Sequence, residues 1–173
     1  MHYWRLYNLC MLLLLCCSCS SNEPREAVKQ VTSSFETETL TEVNRQLVEK
    51  ETDNIEALIC KKNWKMNYHP EGYYSMVINE GQGKKIQDNS TVELLCKIQL
   101  LDGTVCYENQ IRSFKINKTE EIAGLHQGLL GRREGAQLRF IFPFHMAYGL
   151  SGDRDKVPLR AALIFEVDIL NVN

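Results

Sequence analysis

The stretch Phe144-His145-Met146-Ala147-Tyr148-Gly149 is followed nine residues later by Pro158, and then by Leu163-Ile164-Phe165-Glu166-Val167. This pattern places a tyrosine hydroxyl and a phenylalanine ring on either side of a flap that contains glycine. Such a combination suits a pocket that holds an apolar ring while one hydrogen-bond donor reaches a carbonyl group. No acid–base pair, metal-ligand cluster or phosphate-binding loop accompanies it in the sequence, which favours a reaction that breaks no covalent bond.

The length of 173 residues predicts one domain with appendages. A composition of 44% hydrophobic and 24% charged residues is typical of a globular protein rather than a disordered or fibrous one. The formal charge is −2, and the basic pairs Lys61-Lys62 and Arg132-Arg133 are isolated. We therefore expect no nucleic-acid partner.

The N-terminus has the features of an export signal. Arg5 precedes an apolar run over residues 9–17, which is too short to span a hydrocarbon core of roughly 30 Å but fits the apolar region of a secretory signal. The segment resembles a bacterial lipoprotein signal, with Ser18 before Cys19 and a polar tail behind. This resemblance implies a signal peptide over residues 1–19 and lipidation of Cys19. A plain secretory peptide is the alternative, and either one places the folded part outside the cytoplasm.

Three of the seven cysteines lie beyond this leader, an odd number without metal-like spacing: Cys60, Cys96 and Cys106. A hairpin turn at Asp102-Gly103 with Leu101 facing Thr104 would put Cys106 opposite residue 99. The two strand cysteines would then be offset by about 10 Å, which exceeds the reach of a disulfide. We expect free, buried thiols in this hairpin, unless a bulge alters the register.

Residues 20–40 are rich in Ser, Thr, Glu and Gln with few apolar anchors, and they are predicted to form a flexible, solvated tether. From residue 41 the pattern becomes helical, with apolar residues at three- and four-residue spacings: Leu47, Ile55, Leu58 and Ile59. We predict a helical extension over 41–70 that packs on the following domain through this stripe. A partner-binding helix is the alternative.

Residues 71–173 are predicted to form one domain that is mainly β. Residues 121–130 carry apolar side chains at 122, 125, 129 and 130, which predicts a helix of two or three turns. Alternation and turn residues predict strands over 73–78, 92–100, 104–107, 113–116, 138–143 and 163–170. One helix against an antiparallel sheet of about five strands is an α+β arrangement.

An ordered set of motifs runs through this domain: Gly81-x-Gly83, Leu101-Asp102-Gly103, Phe114, Ile122-Ala123-Gly124-Leu125, Gly128-Leu129, Gly135, Pro143, Ala147-Tyr148-Gly149, Val157-Pro158 and Leu163-Ile164-Phe165-Glu166-Val167. Over residues 73–172 the set resembles the FKBP-type peptidyl-prolyl cis–trans isomerases. The resemblance implies an FKBP-like fold, with a strongly twisted sheet wrapped on the short helix. The leader and helical extension also resemble isomerase-like lipoproteins that are associated with gliding motility in some Gram-negative bacteria.

The resemblance implies roles for particular side chains. Tyr148 would donate its hydroxyl to a substrate carbonyl, and the Ile122 backbone N–H would orient the peptide. Five side chains would line a proline pocket: Phe114, Ile122, Leu125, Val157 and Phe165. Phe114, Ile122 and Phe165 are equally compatible with a purely structural place in the core. The resemblance implies no cofactor and no metal.

The sequence departs from the family pattern inside this pocket. Cys96 stands where the family usually has a tyrosine, and Cys106-Tyr107 stands where it has Phe-Asp. Leu125 replaces the indole that usually forms the pocket floor. The lost carboxylate would normally add electrostatic character beside the twisting bond. We therefore expect Cys96, Cys106 and Tyr107 to border a wider pocket with weaker affinity for proline.

Three hypotheses follow. The first is an isomerase that acts on proline-containing polypeptides and assists the folding of exported proteins from a membrane-anchored position. The second is a noncatalytic FKBP-like chaperone or adaptor lipoprotein that binds peptides. The third is a structural envelope component that docks through residues 41–70. In each case the expected location is extracytoplasmic, with a lipid anchor to the periplasmic side or outer membrane of a Gram-negative cell envelope.

Overall fold

The first element is a long helix, α1, over Arg25–Lys62. The structure is a computed structural model, and it describes the backbone of residues 25–173 and the side chains of residues 41–173. Residues 25–40 are helical, whereas the sequence analysis predicted a flexible tether over 20–40. No glycine or proline occurs from Arg25 to Lys62, so no residue in this stretch breaks a helix once it has formed. The predicted signal peptide over 1–19, including Cys19, lies outside the described residues.

Contacts divide the chain into two units, Met1–Asn44 and Arg45–Asn173. In the second unit, Ile55 of α1 is fully buried in a cluster with Tyr74, Ile141, Ala162 and Ile164. Leu58 and Ile59 pack against the same cluster. The predicted packing of the helix on the domain is confirmed for these three residues, but Leu47 remains 36% exposed. The helix ends at Lys62 and Asn67–His69 form a strand, so the predicted helical extension over 41–70 is wrong at its C-terminal end.

The described residues form six strands: β1 (Asn67–His69), β2 (Tyr73–Asn79), β3 (Thr91–Leu100), β4 (Val105–Lys115), β5 (Gln137–Phe142) and β6 (Leu163–Val172). These six strands form one antiparallel sheet in the spatial order β1-β2-β5-β6-β3-β4. A second helix, α2 (Ala123–Leu129), and a 3₁₀ turn (Phe144–Met146) complete the unit. The predicted α+β architecture is confirmed.

β4 is one continuous strand, although the sequence analysis predicted two short strands over 104–107 and 113–116. The intervening residues 108–112 are mostly polar and were not assigned to a strand. β4 is an edge strand, so one of its sides faces solvent and polar residues are tolerated there.

The hairpin register also differs from the prediction. Ile98 lies opposite Tyr107, and Gln99 lies opposite Val105, so Cys106 is an extra residue without a partner on β3. Such a bulge was not visible in the sequence, and the predicted position of Cys106 opposite residue 99 is wrong. The prediction of free, buried thiols at Cys96 and Cys106 is confirmed.

The two helices lie against opposite faces of the sheet. Successive side chains of a strand point to opposite faces, so neighbouring residues of β5 show which helix each face contacts. Ile141 faces α1, whereas its neighbours Phe140 and Phe142 belong to the cluster that contains α2. The rings of Phe140 and Phe142 are stacked at 5.1 Å. Gly124 and Gly128 of α2 lie directly on these two rings. This close approach places the beginning of α2 over the middle of the sheet.

Candidate active site

The structure brings all nine predicted pocket residues into one hydrophobic cluster. Cys96, Leu125 and Phe165 are fully buried at its base. Tyr107 and Tyr148 are partly buried and pack against it. The others are 4–7% exposed: Cys106, Phe114, Ile122 and Val157. Their assembly is a structural result, and their roles toward a peptide remain predictions.

Different elements supply these side chains. Phe165 lies on the central strand β6, where it pairs with Phe140 and Ile98 on the two neighbouring strands. Its ring meets that of Phe142 edge-to-face at 5.4 Å. Ile122 and Leu125 come from the beginning of α2, and the long segment between β5 and β6 supplies Tyr148 and Val157. The base therefore comes from β3, β6 and α2, whereas Tyr148 and Val157 come from a connecting segment.

The hydroxyl of Tyr148 accepts a hydrogen bond from Nη2 of Arg112 at 2.5 Å. A guanidinium has only donors, so the hydroxyl oxygen must be the acceptor, and its own proton is not used in this bond. Burial raises the pKa of Tyr148 above its ordinary value, which keeps the hydroxyl protonated at neutral pH. Tyr148 is therefore fixed in place and still able to donate to a carbonyl.

The backbone N–H of Ile122, predicted to orient a peptide, donates to Oε1 of Glu121 at 2.9 Å. The same oxygen accepts from Nη1 of Arg112 at 2.7 Å. In the structure this N–H is therefore already bound to a side chain of the protein itself. Tyr107 replaces the carboxylate that the family usually has at this position, but Glu121 supplies a carboxylate beside the cluster.

The sequence analysis missed Arg112 and Glu121. Arg112 lies two residues before Phe114 on β4, so the two side chains point to the same face of the strand. That spacing was the available signal, but no role was predicted for Arg112. In the structure its guanidinium lies 5.8 Å from the centre of the Phe165 ring.

Arg112 remains positively charged although its side chain is largely buried beside an apolar cluster. Burial by itself would lower the pKa of Arg112, but the Glu121 carboxylate and the Tyr148 hydroxyl outweigh burial, and the pKa is raised. Oε1 of Gln110 accepts from Nε at 3.1 Å and from Nη2 at 2.9 Å. The plane of the guanidinium is thus fixed by three neighbours.

Tyr107 turns its hydroxyl toward the segment between β5 and β6. Its one proton is donated to Oδ2 of Asp153 at 2.5 Å, and Oδ2 of Asp155 lies 3.2 Å from the same hydroxyl oxygen. The bond to Asp153 is the main reason that the pKa of Tyr107 is raised. Oδ1 of Asp153 accepts the backbone N–H of Val157 at 2.8 Å. Tyr107 therefore borders the cluster with its ring while its hydroxyl helps to hold Val157 in position.

The cysteines and acids of the site do not suit nucleophilic or metal chemistry. Burial raises the pKa of Cys96 to about 12 and also raises the pKa of Cys106, so both are thiols rather than thiolates at neutral pH. Among the described residues, no group of three or more His, Cys, Asp or Glu is placed to hold a metal ion. The arrangement offers shape, an apolar surface and a few fixed donors.

Solved structures with low sequence identity share this fold. FkpA from Escherichia coli has a TM-score of 0.58 at 23% identity, and the match covers 88% of this chain and 75% of that chain. A peptidyl-prolyl cis–trans isomerase from Pseudomonas syringae pv. tomato has a TM-score of 0.63 at 23% identity, over 75% of this chain and 95% of that chain. At this level of identity the matches show the fold alone.

Curated relatives match over a shorter stretch. The chain is 37% identical over 65 residues to peptidyl-prolyl cis-trans isomerase FKBP2 of Mus musculus, which is 38% of this chain and 46% of that protein. It is 38% identical over 60 residues to FK506-binding protein 2 of Dictyostelium discoideum, which is 35% of this chain and 45% of that protein. The match spans about half the length of these relatives.

The family model for the FKBP-type peptidyl-prolyl cis-trans isomerases matches residues 82–170, which is just over half of the chain. The matched stretch contains every residue of the cluster that sequence reasoning assigned to the pocket. The chain therefore belongs to the FKBP-type peptidyl-prolyl cis–trans isomerase family.

Proposed function

We propose that this protein isomerises X–Pro peptide bonds in polypeptides. The observation that carries the proposal is the position of Tyr148 over the apolar cluster. Arg112 fixes its oxygen, and its proton remains available for a carbonyl. Phe114, Val157 and Phe165 belong to this apolar cluster, which a proline ring would contact.

The chemistry requires no proton transfer. Rotation about an amide is opposed by a barrier of about 18–20 kcal/mol, because resonance is lost when the bond twists. The twisted amide has less charge separation than the planar one, so an apolar, water-poor site stabilises it relative to the ground state. Lowering the barrier by about 4 kcal/mol would accelerate rotation roughly a thousandfold.

The test is an exchange measurement on X–Pro peptides with wild type, Tyr148→Phe and Phe165→Ala. We expect acceleration by wild type and a loss of about tenfold or more in each variant. Tyr68→Phe is the matched control, since Tyr68 lies on β1 outside the cluster and is 62% exposed. Wild-type rates equal to the uncatalysed rate would overturn the proposal. The rate should also be flat between about pH 6 and 8, since no titrating group takes part.

A noncatalytic peptide-binding module is the second candidate. The observation that favours it is the Ile122 N–H, which Glu121 occupies in the structure. Such a protein would bind proline-containing peptides in titration calorimetry without changing their exchange rate. The third hypothesis, docking through residues 41–70, is disfavoured because Ile55 of that segment is buried within its own domain.

The second part of the proposal is a membrane-anchored, extracytoplasmic location, from which the protein would assist the folding of exported polypeptides. Its support is the sequence from Arg5 through the apolar run to Ser18-Cys19. Within the part of the chain that the structure describes, no helix has the length and hydrophobicity needed to cross a bilayer. A Cys19→Ser variant should lose the lipid by mass spectrometry and leave the membrane fraction. A Cys19→Ser variant that keeps the lipid and stays in the membrane fraction would contradict the proposed membrane anchor.

A further inference from the structure

Arg112 and Glu121 form an ion pair at the edge of the candidate site. Nη1 of Arg112 lies 2.7 Å from Oε1 of Glu121, and the side chains are only 12% and 13% exposed. The same oxygen also accepts the N–H of Ile122. One carboxylate oxygen of Glu121 is thus the partner of both the Arg112 guanidinium and the Ile122 N–H beside the apolar cluster.

A bound peptide has to compete with this carboxylate. The N–H of Ile122 carries one proton, so a substrate carbonyl bonds to it only after Oε1 of Glu121 has moved away. That movement also removes the carboxylate partner of Arg112. A guanidinium that is largely withdrawn from water is destabilised when its partner leaves.

The guanidinium of Arg112 cannot simply follow Glu121 out of the site. Gln110 accepts from two of its nitrogens, the Tyr148 hydroxyl accepts from Nη2, and the Phe165 ring lies against it. The cation therefore stays where it is while its anionic partner is exchanged. A neutral peptide leaves that position empty, whereas a peptide with its own carboxylate refills it with a charge-assisted bond.

We propose that Arg112 makes this site selective for peptides that carry an aspartate or glutamate adjacent to the proline, with Glu121 holding the place of that carboxylate in the free protein. This inference rests on the proposed function for its substrate class. Arg112 is then the residue that determines specificity, and Glu121 is an internal competitor.

The experiment uses the full chain and two isosteric pairs of peptides, Glu-Pro against Gln-Pro and Pro-Glu against Pro-Gln. Rates are measured by exchange spectroscopy and affinities by titration calorimetry. For wild type we expect a preference of about tenfold for the glutamate member of at least one pair. The Arg112→Gln variant should bring the ratio to about one, whereas Arg112→Lys should retain part of it. Glu121→Gln should keep the ratio above one, because it removes the competing negative charge and leaves Arg112 in place.

The two proposals fail separately. Equal rates and equal affinities for both members of both pairs in wild type would overturn the selectivity and leave the isomerase function in place. A preference for glutamate in binding, without acceleration of either peptide, would overturn the isomerase function and support the selectivity. A preference that persists unchanged in a folded Arg112→Gln variant would overturn the role of Arg112.

Discussion

Gly124 lies so close to Phe142 that a β-carbon at position 124 would come within 2.5 Å of the aromatic ring. Phe142 is fully buried and touches Phe165, so the ring has little room to move. Helix propensity alone would predict that Gly124→Ala stabilises α2 by about 1 kcal/mol. Overpacking should outweigh this gain and lower the free energy of unfolding by about 1–3 kcal/mol in urea denaturation.

Gly103→Ala is the control for this substitution. No atom lies within 4 Å of a β-carbon at that position, so the variant has only the strain of its positive φ, about 1 kcal/mol. A Gly124→Ala protein as stable as wild type would show that α2 does not depend on this close contact. In that case the Phe142 ring below the site would be able to move and make room for the added β-carbon.

Asp153 should control the affinity of the site for peptides without touching them. Its carboxylate accepts the backbone N–H of Val157 and of Asp155, as well as the hydroxyl of Tyr107. Hydrogen bonds to a charged group contribute about 1.5–3 kcal/mol each. Asp153→Ala should therefore loosen Val157 and reduce kcat/KM by about tenfold, mainly through KM, in the exchange assay.

Asp102→Ala is a matched control, since Asp102 makes the equivalent bond to the N–H of Thr104 in the β3–β4 turn, and Thr104 is not a residue of the cluster. We expect its kcat/KM to remain at the wild-type value. Equal effects of the two variants, or no effect of Asp153→Ala, would exclude a positioning role for the Asp153 carboxylate.

The cysteines should differ sharply in reactivity. Cys60 is exposed, whereas Cys96 and Cys106 are buried. A pKa of about 12 at Cys96 leaves roughly a thousandfold less thiolate at neutral pH than the ordinary value. In the folded protein iodoacetamide should label Cys60 and spare the other two, and peptide mapping by mass spectrometry distinguishes the sites. Labelling of Cys96 as fast as Cys60 would show that this part of the core opens frequently.

The sequence was sufficient for the fold class and for the apolar part of the site. Alternation of side chains and the turn residues located the ends of β2, β3, β5 and β6 to within one or two residues. These strand signals are local, because each depends on the spacing of neighbouring residues along the chain. The nine residues that the structure places in one cluster were implied by the resemblance to the FKBP family.

The polar part of the site could not be obtained in the same way. Whether Arg112 is solvated or buried depends on Tyr148 and Glu121, which come from other segments and meet it only in the folded chain. The bulge at Cys106 is likewise a property of strand pairing. Such features follow from tertiary contacts, which spacing along one strand does not specify.

Glu51 should make the stability of the domain depend on pH. Its Oε1 accepts the N–H of Phe144 at 2.9 Å, whereas Oε2 is buried without a hydrogen-bond partner. Burial raises the pKa of Glu51 above its ordinary value of 4.5, and the bond from Phe144 offsets only part of this. The folded protein thus holds this proton more tightly than the unfolded chain does, so the contribution of Glu51 to stability falls as pH rises from 4.5 through the folded pKa.

A Glu51→Gln variant keeps the acceptor for Phe144 and cannot ionise. Its melting temperature should therefore exceed that of wild type at neutral pH, and the difference should shrink as the pH is lowered toward 4.5, where wild-type Glu51 is protonated in the folded state. Thermal unfolding of both proteins between about pH 4 and 8 measures this difference. Glu49→Gln on the same helix is the control, because the Glu49 side chain is 58% exposed. A difference that stays constant with pH, or that grows toward acid, would show that the Glu51 carboxylate is ionised at little cost and is hydrated in the folded protein.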